Sequence, residues 1–291
     1  MQINICFGIS DNYCQHCACT IASILYNSNP KDKYNFYIIS GYISEMNKKN
    51  FEMLKHLRNF NITFLEVNVD EYLNLDVNNQ LGPSSFFRFK AFELFDFDKI
   101  IYLDVDLIVR KDIAQLYETD IEGYYCAGAE DLVAPRKIKE YNLSPDTNYI
   151  NAGVMLLNLK YCKENNVPEM LSDFLSQPWD RQWNDQDILN YLFQNKIKFV
   201  DIKWNCTYYA SMYKNQEYFH QMAKDPSIIH YIGYAKPWLA GMRPHLKSDY
   251  FKYLKMTPWF DDFMLGYQLE ENSLILSRLD ELKHLIISMN K

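Results

Sequence analysis

The sequence predicts an α/β fold in which a mostly parallel sheet is flanked by helices. Short apolar runs typical of strands alternate with segments of helical spacing, and this alternation favours parallel strands joined by helical crossovers. The 291 residues are 48% hydrophobic and 23% charged, a composition typical of a globular protein with a sizeable core. We expect one α/β domain at residues 1–242 and a helical, aromatic C-terminal tail at residues 243–291.

The predicted elements follow one another in a simple order. The first part holds strands at 3–9, 34–40 and 62–68, with helices at 14–26 and 48–60 between them. A helix at 84–95 leads into a long apolar strand at 100–109. After Gly123, strands are expected at 124–131, 149–160 and 198–205, separated by helices at 163–176 and 185–193.

The composition shifts from Lys247 onward. Residues 250–267 are rich in aromatic side chains, and apolar residues at 275, 279, 282, 286 and 289 have helical spacing. Lysines at 247, 252 and 255 interleave with Tyr250, Phe251, Tyr253 and Trp259, a combination suited to an anionic membrane surface. Packing of these aromatic residues onto the domain is the alternative, and the sequence leaves both open.

The net charge and the cysteine content limit the classes of function and the cellular compartment that are compatible with the sequence. The 30 Lys and Arg against 37 Asp and Glu give a net charge of −7, which argues against a nucleic-acid binder. No basic region opens the chain and no run of 18 apolar residues occurs, so we expect neither a signal peptide nor a spanning helix. Seven cysteines favour free thiols and a cytoplasmic location. Cys14, Cys17 and Cys19 are interpreted as small buried helix residues rather than a metal knot, because a second ligand pair is missing.

Two acids interrupt the apolar run at 100–109. Asp104 and Asp106 are two residues apart, so in a strand they would point to the same face. Ligands collect at the carboxyl ends of strands in open α/β sheets, and this pair lies at such an end. Two adjacent carboxylates resist joint ionisation, and a divalent cation relieves that conflict. Solvated acids on an edge strand are the simpler alternative.

Four further motifs accompany YLDVD: Ser85 and Arg88 in S-x-x-R, NAGVMLLNLK at 151–160, NDQD at 184–187 and HYIGYAKPW at 230–238. With this order and spacing, the chain resembles the family 8 glycosyltransferases over residues 3–259. It looks most similar to bacterial members that add hexoses to lipopolysaccharide or lipooligosaccharide. The resemblance implies a GT-A fold with a Rossmann-like sheet, a UDP-hexose donor, a divalent metal and retention of configuration. The expected acceptor is a saccharide or a lipid-linked saccharide, and lipid-linked acceptors in related enzymes favour peripheral contact of this cytoplasmic enzyme with the inner membrane.

The resemblance also assigns residues to roles. The metal ligands are Asp104, Asp106 and His230, a set of two oxygens and one nitrogen that suits Mn²⁺ better than Mg²⁺, which remains the second candidate. Donor-binding residues are Gly8, Ile9, Ser10, Asp11, Asn12, Tyr13, Arg88, Asp104, Val105, Asn151, Ala152, Gly233 and Lys236. Ser10 stands where close relatives often carry an acid for the uracil ring. Asp131 is a weaker correspondence, because its loop differs in length.

The NDQD segment is assigned to catalysis by the same resemblance, with Asp185 on the hydroxyls of the donor sugar and Gln186 beneath its anomeric carbon. Capping of the next helix by Asn184 or Asp185 is the simpler interpretation. No carboxylate is clearly placed as a nucleophile, so front-side attack is expected. A glycogenin-like protein that glucosylates itself and a non-catalytic sugar-nucleotide binder are the alternatives. A glycoside hydrolase fits poorly, because its acids come from separated positions.

Overall fold

The computed structural model describes residues 1–73, 82–131, 134–177, 184–207, 224–234 and 236–289, with side chains as far as Leu282. The main sheet contains β1 (Gln2–Gly8), β2 (Lys33–Ser40), β3 (Asn61–Glu66), β4 (Lys99–Leu103), β6 (Cys126–Glu130), β7 (Ile150–Asn158) and β8 (Ile197–Val200). A small second sheet contains β5 (Leu107–Val109), β9 (Cys206–Thr207) and β10 (Ile228–His230).

The strand order confirms the predicted mostly parallel sheet. The seven strands run β3-β2-β1-β4-β7-β6-β8, and only β7 is antiparallel to its neighbours, β4 and β6. The other four pairings in this sheet are parallel. In the second sheet, β10 lies between β5 and β9.

The described helices are α1 (Cys14–Asn27), α2 (Glu45–Met53), α3 (Asp70–Leu73), α4 (Ala91–Leu94), α5 (Ala114–Tyr117), α6 (Ala134–Glu140), α7 (Leu159–Glu164), α8 (Val167–Ser176), α9 (Asp185–Leu192), α10 (Lys247–Leu254) and α11 (Phe260–Met289). Short 3-10 helices span Asp11–Tyr13, Leu54–His56, Pro83–Lys90 and Ile202–Asn205. Within the described ranges, no helix has the length and apolar character needed to cross a bilayer.

Apolar side chains cover both faces of the main sheet. Along β1, Ile3, Ile5 and Phe7 belong to one buried cluster, whereas Cys6 belongs to a second one. Successive side chains of a strand point to opposite faces, so the two clusters lie on opposite sides of the sheet. Burial on both faces explains why central strands such as β4 and β7 read as continuous apolar runs rather than alternating ones.

Several predicted elements differ from the structure. The helix expected at 48–60 is α2 followed by the 3-10 helix Leu54–His56, and the helix expected at 163–176 is divided between α7 and α8. The strand expected at 100–109 is two strands, β4 and β5, because the chain leaves the main sheet at residues 104–106 and enters the second sheet. The helix expected at 84–95 begins as the 3-10 helix Pro83–Lys90 and only then continues as α4. The strand expected at 198–205 ends at Val200, and a 3-10 helix follows it.

The aromatic residues of the tail pack onto the domain. Tyr250 and Tyr253 are buried in one cluster with Cys19 and Ala22 of α1. Trp259 contacts Phe51, and its Nε1 donates to Oδ1 of Asn47 at 3.1 Å. The structure thus favours the packing alternative for these aromatic residues, while the boundary at residue 242 and the membrane contact stay predictions.

All seven cysteines are free, as expected, and all are buried, including the three for which burial was predicted. Burial raises the pKa of the Cys14 thiol to about 12, so this thiol is a poor metal ligand at neutral pH. The neighbouring His16 stacks on Trp238, with ring centroids 3.7 Å apart, and its Nδ1 lies 2.7 Å from the Tyr250 hydroxyl. The segment is therefore part of the packing between α1 and the tail.

Candidate active site

The candidate site lies where β4 ends and the chain crosses to the second sheet. Asp104 and Asp106 lie on this crossing rather than within a strand, which corrects the predicted geometry and keeps both carboxylates out of the apolar core. His230 ends β10 and pairs with Leu107 at the start of β5. This register brings His230 beside Asp106, 124 residues away in the chain.

Three predicted metal ligands come together at this crossing. Nε2 of His230 lies 3.0 Å from Oδ1 of Asp106 and 3.8 Å from Oδ2 of Asp104. One ligand atom from each residue lies within 4.8 Å of the other two, the one such group among the described residues. Two carboxylate oxygens and one imidazole nitrogen suit a first-row divalent cation such as Mn²⁺.

Lys236 places a cation beside this group. Its ammonium donates to Oδ2 of Asp106 and, at 2.7 Å, to the carbonyl of Tyr231. Burial would raise the pKa of the Asp106 carboxyl, but His230 and Lys236 outweigh burial and hold that pKa well below its usual range. Gly233 has a φ of +68°, a left-handed conformation that favours glycine. Asp106 is therefore ionised at neutral pH.

Gly153 has no side chain, and this leaves room for the side chains of Asp104 and His230. A Cβ added there would lie 2.2 Å from Cε1 of His230 and 2.7 Å from Oδ2 of Asp104. We expect Gly153→Ala to displace one or both ligands and to weaken Mn²⁺ affinity about tenfold or more, measured by electron paramagnetic resonance of free Mn²⁺. Gly266→Ala is the matched control, because a Cβ there meets nothing within 4 Å. Unchanged Mn²⁺ affinity in Gly153→Ala would show that the cation binds elsewhere.

Arg88 is buried and joins the acids to the rest of the site. Its Nη2 lies 2.9 Å from Oδ1 of Asp104, and its Nε lies 2.7 Å from Oδ2 of Asp185. Its Nη1 donates to the carbonyl of Ala152 at 2.8 Å. Burial opposes the charged guanidinium, but the two carboxylates outweigh it and raise the pKa of Arg88 above its usual range. This buried cation holds Asp104 and Asp185 on either side of it.

Asp185, on the other side of Arg88, has a carboxyl whose pKa is raised above its ordinary value. Burial raises the pKa of its carboxyl to about 6, although the guanidinium of Arg88 acts in the opposite direction. Asp185 opens α9, where Asn184 forms a capping box with Asp187. The predicted capping by Asn184 is thus confirmed, and the cap fixes the start of the helix that presents Asp185.

The carboxamide of Gln186 is held at both ends. Its Nε2 donates to Oδ2 of Asp131 at 2.8 Å, and its Oε1 accepts from the backbone nitrogen of Ala152 at 3.0 Å. Asn151 also donates to Oδ2 of Asp131, at 3.3 Å. The residues assigned to the sugar end of the donor therefore form one hydrogen-bonded group around the start of β7, and Asp131 belongs to it.

The turn after β1 lines a cavity of about 690 Å³. Its lining comprises Ser10, Asp11, Asn12, Tyr13, Ser40, Gly41, Tyr42, Val69, Gly82, Pro83, Ser84 and Phe87. Gly8 lies at the end of β1, where an added Cβ would be 3.1 Å from Cβ of Phe87. Four of the predicted donor-binding residues, 10–13, thus share one cavity large enough for a nucleoside.

Asp11 is tied to the fold more firmly than the sequence indicates. Its Oδ1 accepts at 2.8 Å from the backbone nitrogen of Ser44 and from Nδ2 of Asn47, and these contacts lower its pKa although burial acts against them. Ser10 donates to Oδ1 of Asn12 at 2.7 Å. The side chains of Ile9 and Val105 are buried, so their backbone is the part available to a ligand.

Asn205 is a residue that the sequence analysis missed. It is 2% exposed and ends the 3-10 helix Ile202–Asn205, with Oδ1 2.8 Å from Nδ1 of His230. Its Nδ2 donates to Oδ1 of Asn151 at 2.8 Å. The one signal in the sequence is an asparagine that closes an apolar stretch, which is too common to indicate a site.

The fold and the site define a glycosyltransferase of the GT-A type. The family model for glycosyl transferase family 8 matches residues 4–241, and the chain belongs to this family. The relatives include the lipopolysaccharide 1,2-glucosyltransferase of Escherichia coli, 30% identical over 88% of this chain and 79% of the relative. General stress protein A of Bacillus subtilis is 27% identical over 86% of this chain and 92% of its own length.

A solved structure extends the comparison. The galactosyltransferase LgtC, solved in complex with donor and acceptor sugar analogs, superposes with a TM-score of 0.76 and 26% identity. The match covers 88% of this chain and 96% of LgtC. The predicted family membership and the GT-A fold are therefore confirmed.

Proposed function

We propose that this protein is a metal-dependent, retaining hexosyltransferase that moves glucose or galactose from a UDP-sugar to a saccharide acceptor. The observation that carries the proposal is the convergence of Asp104, Asp106 and His230 with Lys236 at the carboxyl end of β4. Relatives named as lipopolysaccharide glucosyltransferase and galactosyltransferase support a hexose donor and an acceptor in cell-surface glycan assembly.

The proposed ligands for the divalent cation are Asp104, Asp106 and His230, with the diphosphate of the donor completing the shell. When bound, Mn²⁺ would neutralise negative charge on the diphosphate as it departs. The ammonium of Lys236 contacts the carboxylate of Asp106, one of the proposed metal ligands. In this proposal, the ammonium exchanges that carboxylate for a phosphate oxygen of the donor when the donor binds. Gly233 allows close approach of the backbone to the same phosphates.

Arg88 acts in this proposal through its neighbours. By contacting both Asp104 and Asp185, it places a buried positive charge between two nearby carboxylates and aligns them. Asp104 is then available to the cation, and Asp185 to the hydroxyls of the donor sugar. Arg88 is thus a positioning residue rather than a group that contacts the reacting atoms.

Mn²⁺-dependent hydrolysis of a panel of nucleotide sugars tests the function directly. The panel contains UDP-glucose, UDP-galactose, their N-acetylated forms and GDP-mannose, each with Mn²⁺, with Mg²⁺ and with a chelator. Hydrolysis of one UDP-hexose that needs Mn²⁺ supports the proposal, and no hydrolysis of any donor contradicts it. Mass measurement of the intact protein after each reaction detects self-glucosylation, which would favour the glycogenin-like alternative.

Retention gives a sharper test, because the amide of Gln186 cannot act as a base. We expect an α-glycoside from an α-linked UDP-hexose, since the departing diphosphate oxygen can take the proton of the acceptor hydroxyl on its own side. Gln186→Ala should slow transfer without abolishing it. Anomeric proton signals of the first product distinguish the outcomes, and an initial β-glycoside would rule out this mechanism.

Contact with the inner membrane remains part of the proposal. The aromatic residues at 250, 253 and 259 give it little support, because they pack inside the protein. Better support comes from the large apolar side chains that α11 exposes, which are Leu265, Leu269, Leu274, Ile275, Leu276, Leu279 and Leu282. We also propose a cytoplasmic location. The seven free cysteines and the relatives named as lipopolysaccharide glycosyltransferases support it.

A further inference from the structure

The carboxamide of Asn205 lies between His230 and the start of β7. On one side, Oδ1 of Asn205 is 2.8 Å from Nδ1 of His230. On the other side, Nδ2 is 2.8 Å from Oδ1 of Asn151 and 3.3 Å from the carbonyl oxygen of the same residue. Asn205 and His230 are each 2% exposed, so solvent does not replace these partners easily.

Backbone groups fix the orientation of this carboxamide. The backbone nitrogen of Gly153, which can only donate, lies 3.1 Å from Oδ1 of Asn151, so that atom is an acceptor. The carbonyl oxygen of Asn151 is an acceptor as well. Two acceptors therefore face one end of the Asn205 carboxamide, and this end must be the NH₂ group. The oxygen of Asn205 consequently faces His230.

The orientation of Asn205 decides which ring nitrogen of His230 carries a proton. An oxygen opposite Nδ1 requires an N–H there, so Nδ1 is protonated. In the neutral ring, the lone pair is then on Nε2, the atom 3.0 Å from Oδ1 of Asp106 and 3.8 Å from Oδ2 of Asp104. A lone pair facing two carboxylates is unfavourable unless a proton or a metal ion lies between the nitrogen and the carboxylate oxygens.

The backbone alone does not set this arrangement. Pairing of β10 with β5 and β9 places the Cα of His230 opposite Leu107 and Thr207. The pairing leaves the rotation of the ring and the choice of tautomer free. Of the two ring nitrogens, Nδ1 meets the carboxamide oxygen of a neutral side chain, an atom that only accepts, and Nε2 meets the carboxylates.

We propose that Asn205 is a positioning residue that holds His230 as the Nδ1–H tautomer and directs its Nε2 toward the divalent cation. The proposal rests on the metal site of the proposed function. The contact to Asn151, which in turn contacts Asp131, also links the metal end of the site to the residues around Gln186. Partners of this kind around metal-binding histidines change metal affinity by about 10- to 100-fold when removed.

Two substitutions separate the acceptor of Asn205 from its donor. Asn205→Asp keeps an oxygen opposite Nδ1 of His230 but cannot donate to Asn151, so it should lose thermal stability and keep Mn²⁺ affinity within about threefold of the wild type. Asn205→Leu loses both contacts and should bind Mn²⁺ at least tenfold more weakly. Asn205→Ala replaces the leucine variant if that variant does not fold.

Asn190 provides the matched control. It is a fully buried asparagine that also ties into β7, through the backbone nitrogen of Ile150 at 2.8 Å and the carbonyl of Ile150 at 2.9 Å. Asn190→Leu should lose stability as Asn205→Leu does, because both remove buried hydrogen bonds, yet it should leave Mn²⁺ affinity unchanged. The comparison separates a general loss of packing from a specific effect on His230.

The experiment titrates Mn²⁺ into the full chain without donor at pH 8 and reads free Mn²⁺ by electron paramagnetic resonance, with a melting curve of each variant. Weak binding in Asn205→Leu, together with near-normal binding in Asn205→Asp and Asn190→Leu, supports the proposal. Wild-type affinity in Asn205→Leu, or equal losses in the two Asn205 variants, overturns it while leaving the metal site intact. If the wild type binds no Mn²⁺, the metal site of the proposed function is itself wrong.

Discussion

Asp106→Asn is expected to abolish metal-dependent sugar transfer while the protein stays folded. The carboxylate of Asp106 contacts both His230 and Lys236, and an uncharged amide cannot balance a divalent cation. We expect a loss of about 10²- to 10³-fold in kcat, or ~2.7–4 kcal/mol of barrier, as in other electrostatic sites. The fold should tolerate the change, because Lys236 is 20% exposed and can turn toward solvent.

Release of UDP with and without Mn²⁺ measures this effect, and a melting curve checks the fold. Asp249→Asn is the matched control. This substitution also removes an ion pair, between Oδ2 of Asp249 and Nε of Arg110 at 2.8 Å, but Asp249 has no assigned role in the site. Its activity should equal that of the wild type. Full activity of Asp106→Asn in Mn²⁺ would mean that the metal site is misassigned.

Arg88→Met should be the most destabilising of the proposed single substitutions. It leaves the carboxylate of Asp185 buried without the cation 2.7 Å away, and breaking a buried pair in this way costs about 3–5 kcal/mol. Activity should fall as well, because Asp104 also loses its partner. Urea unfolding measures the free energy, and the double variant Arg88→Met/Asp185→Asn should recover much of the loss.

The destabilisation by Arg88→Met should also depend on pH. Burial already raises the pKa of the folded Asp185 carboxyl to about 6, against an ordinary value of 3.8, and loss of Arg88 raises it further. Between the ordinary and the folded pKa, the folded state binds more protons than the unfolded state, so stability falls as pH rises. The loss measured at pH 8 should exceed the loss measured at pH 5.

Lys90→Met is the control for this pair of variants. Lys90 lies two residues from Arg88 in the same 3-10 helix, and its partners Glu71 and Glu93 are exposed, so the loss should be within about 1 kcal/mol. A double variant no more stable than Arg88→Met, or a loss that does not change with pH, would show that the buried carboxylate of Asp185 is not the cause.

Local patterns in the sequence were sufficient for much of the fold. Apolar runs predicted the central strands of the main sheet, because a strand buried on both faces needs apolar residues at nearly every position. The capping of α9 by Asn184 was predictable for a similar reason, since a cap is formed within four residues of chain. The burial of Cys14, Cys17 and Cys19 followed from the apolar helix in which they lie.

The motifs also predicted which residues would meet, but not how. Asp104, Asp106 and His230 come together as expected, yet the two acids lie on a crossing between sheets rather than in a strand. In the run from Ile100 to Val109, the two acids separate halves that are equally apolar, and the sequence alone does not show that they mark a crossing between two sheets. The break depends on β5 pairing with β10, a segment more than 100 residues later.

The α/β class, the order of the elements and the residue types of the site could be predicted from the amino-acid sequence, because they depend on neighbours along the chain. Three contacts became evident only in the folded protein: Asn205 faces His230, Asp11 supports the start of α2, and the aromatic residues of the tail pack inward. Each of these contacts joins residues that are 25 or more positions apart in sequence. Such contacts follow from the order of the strands in the two sheets and from the packing of helices and turns against them, and the spacing of residues along the chain does not specify either.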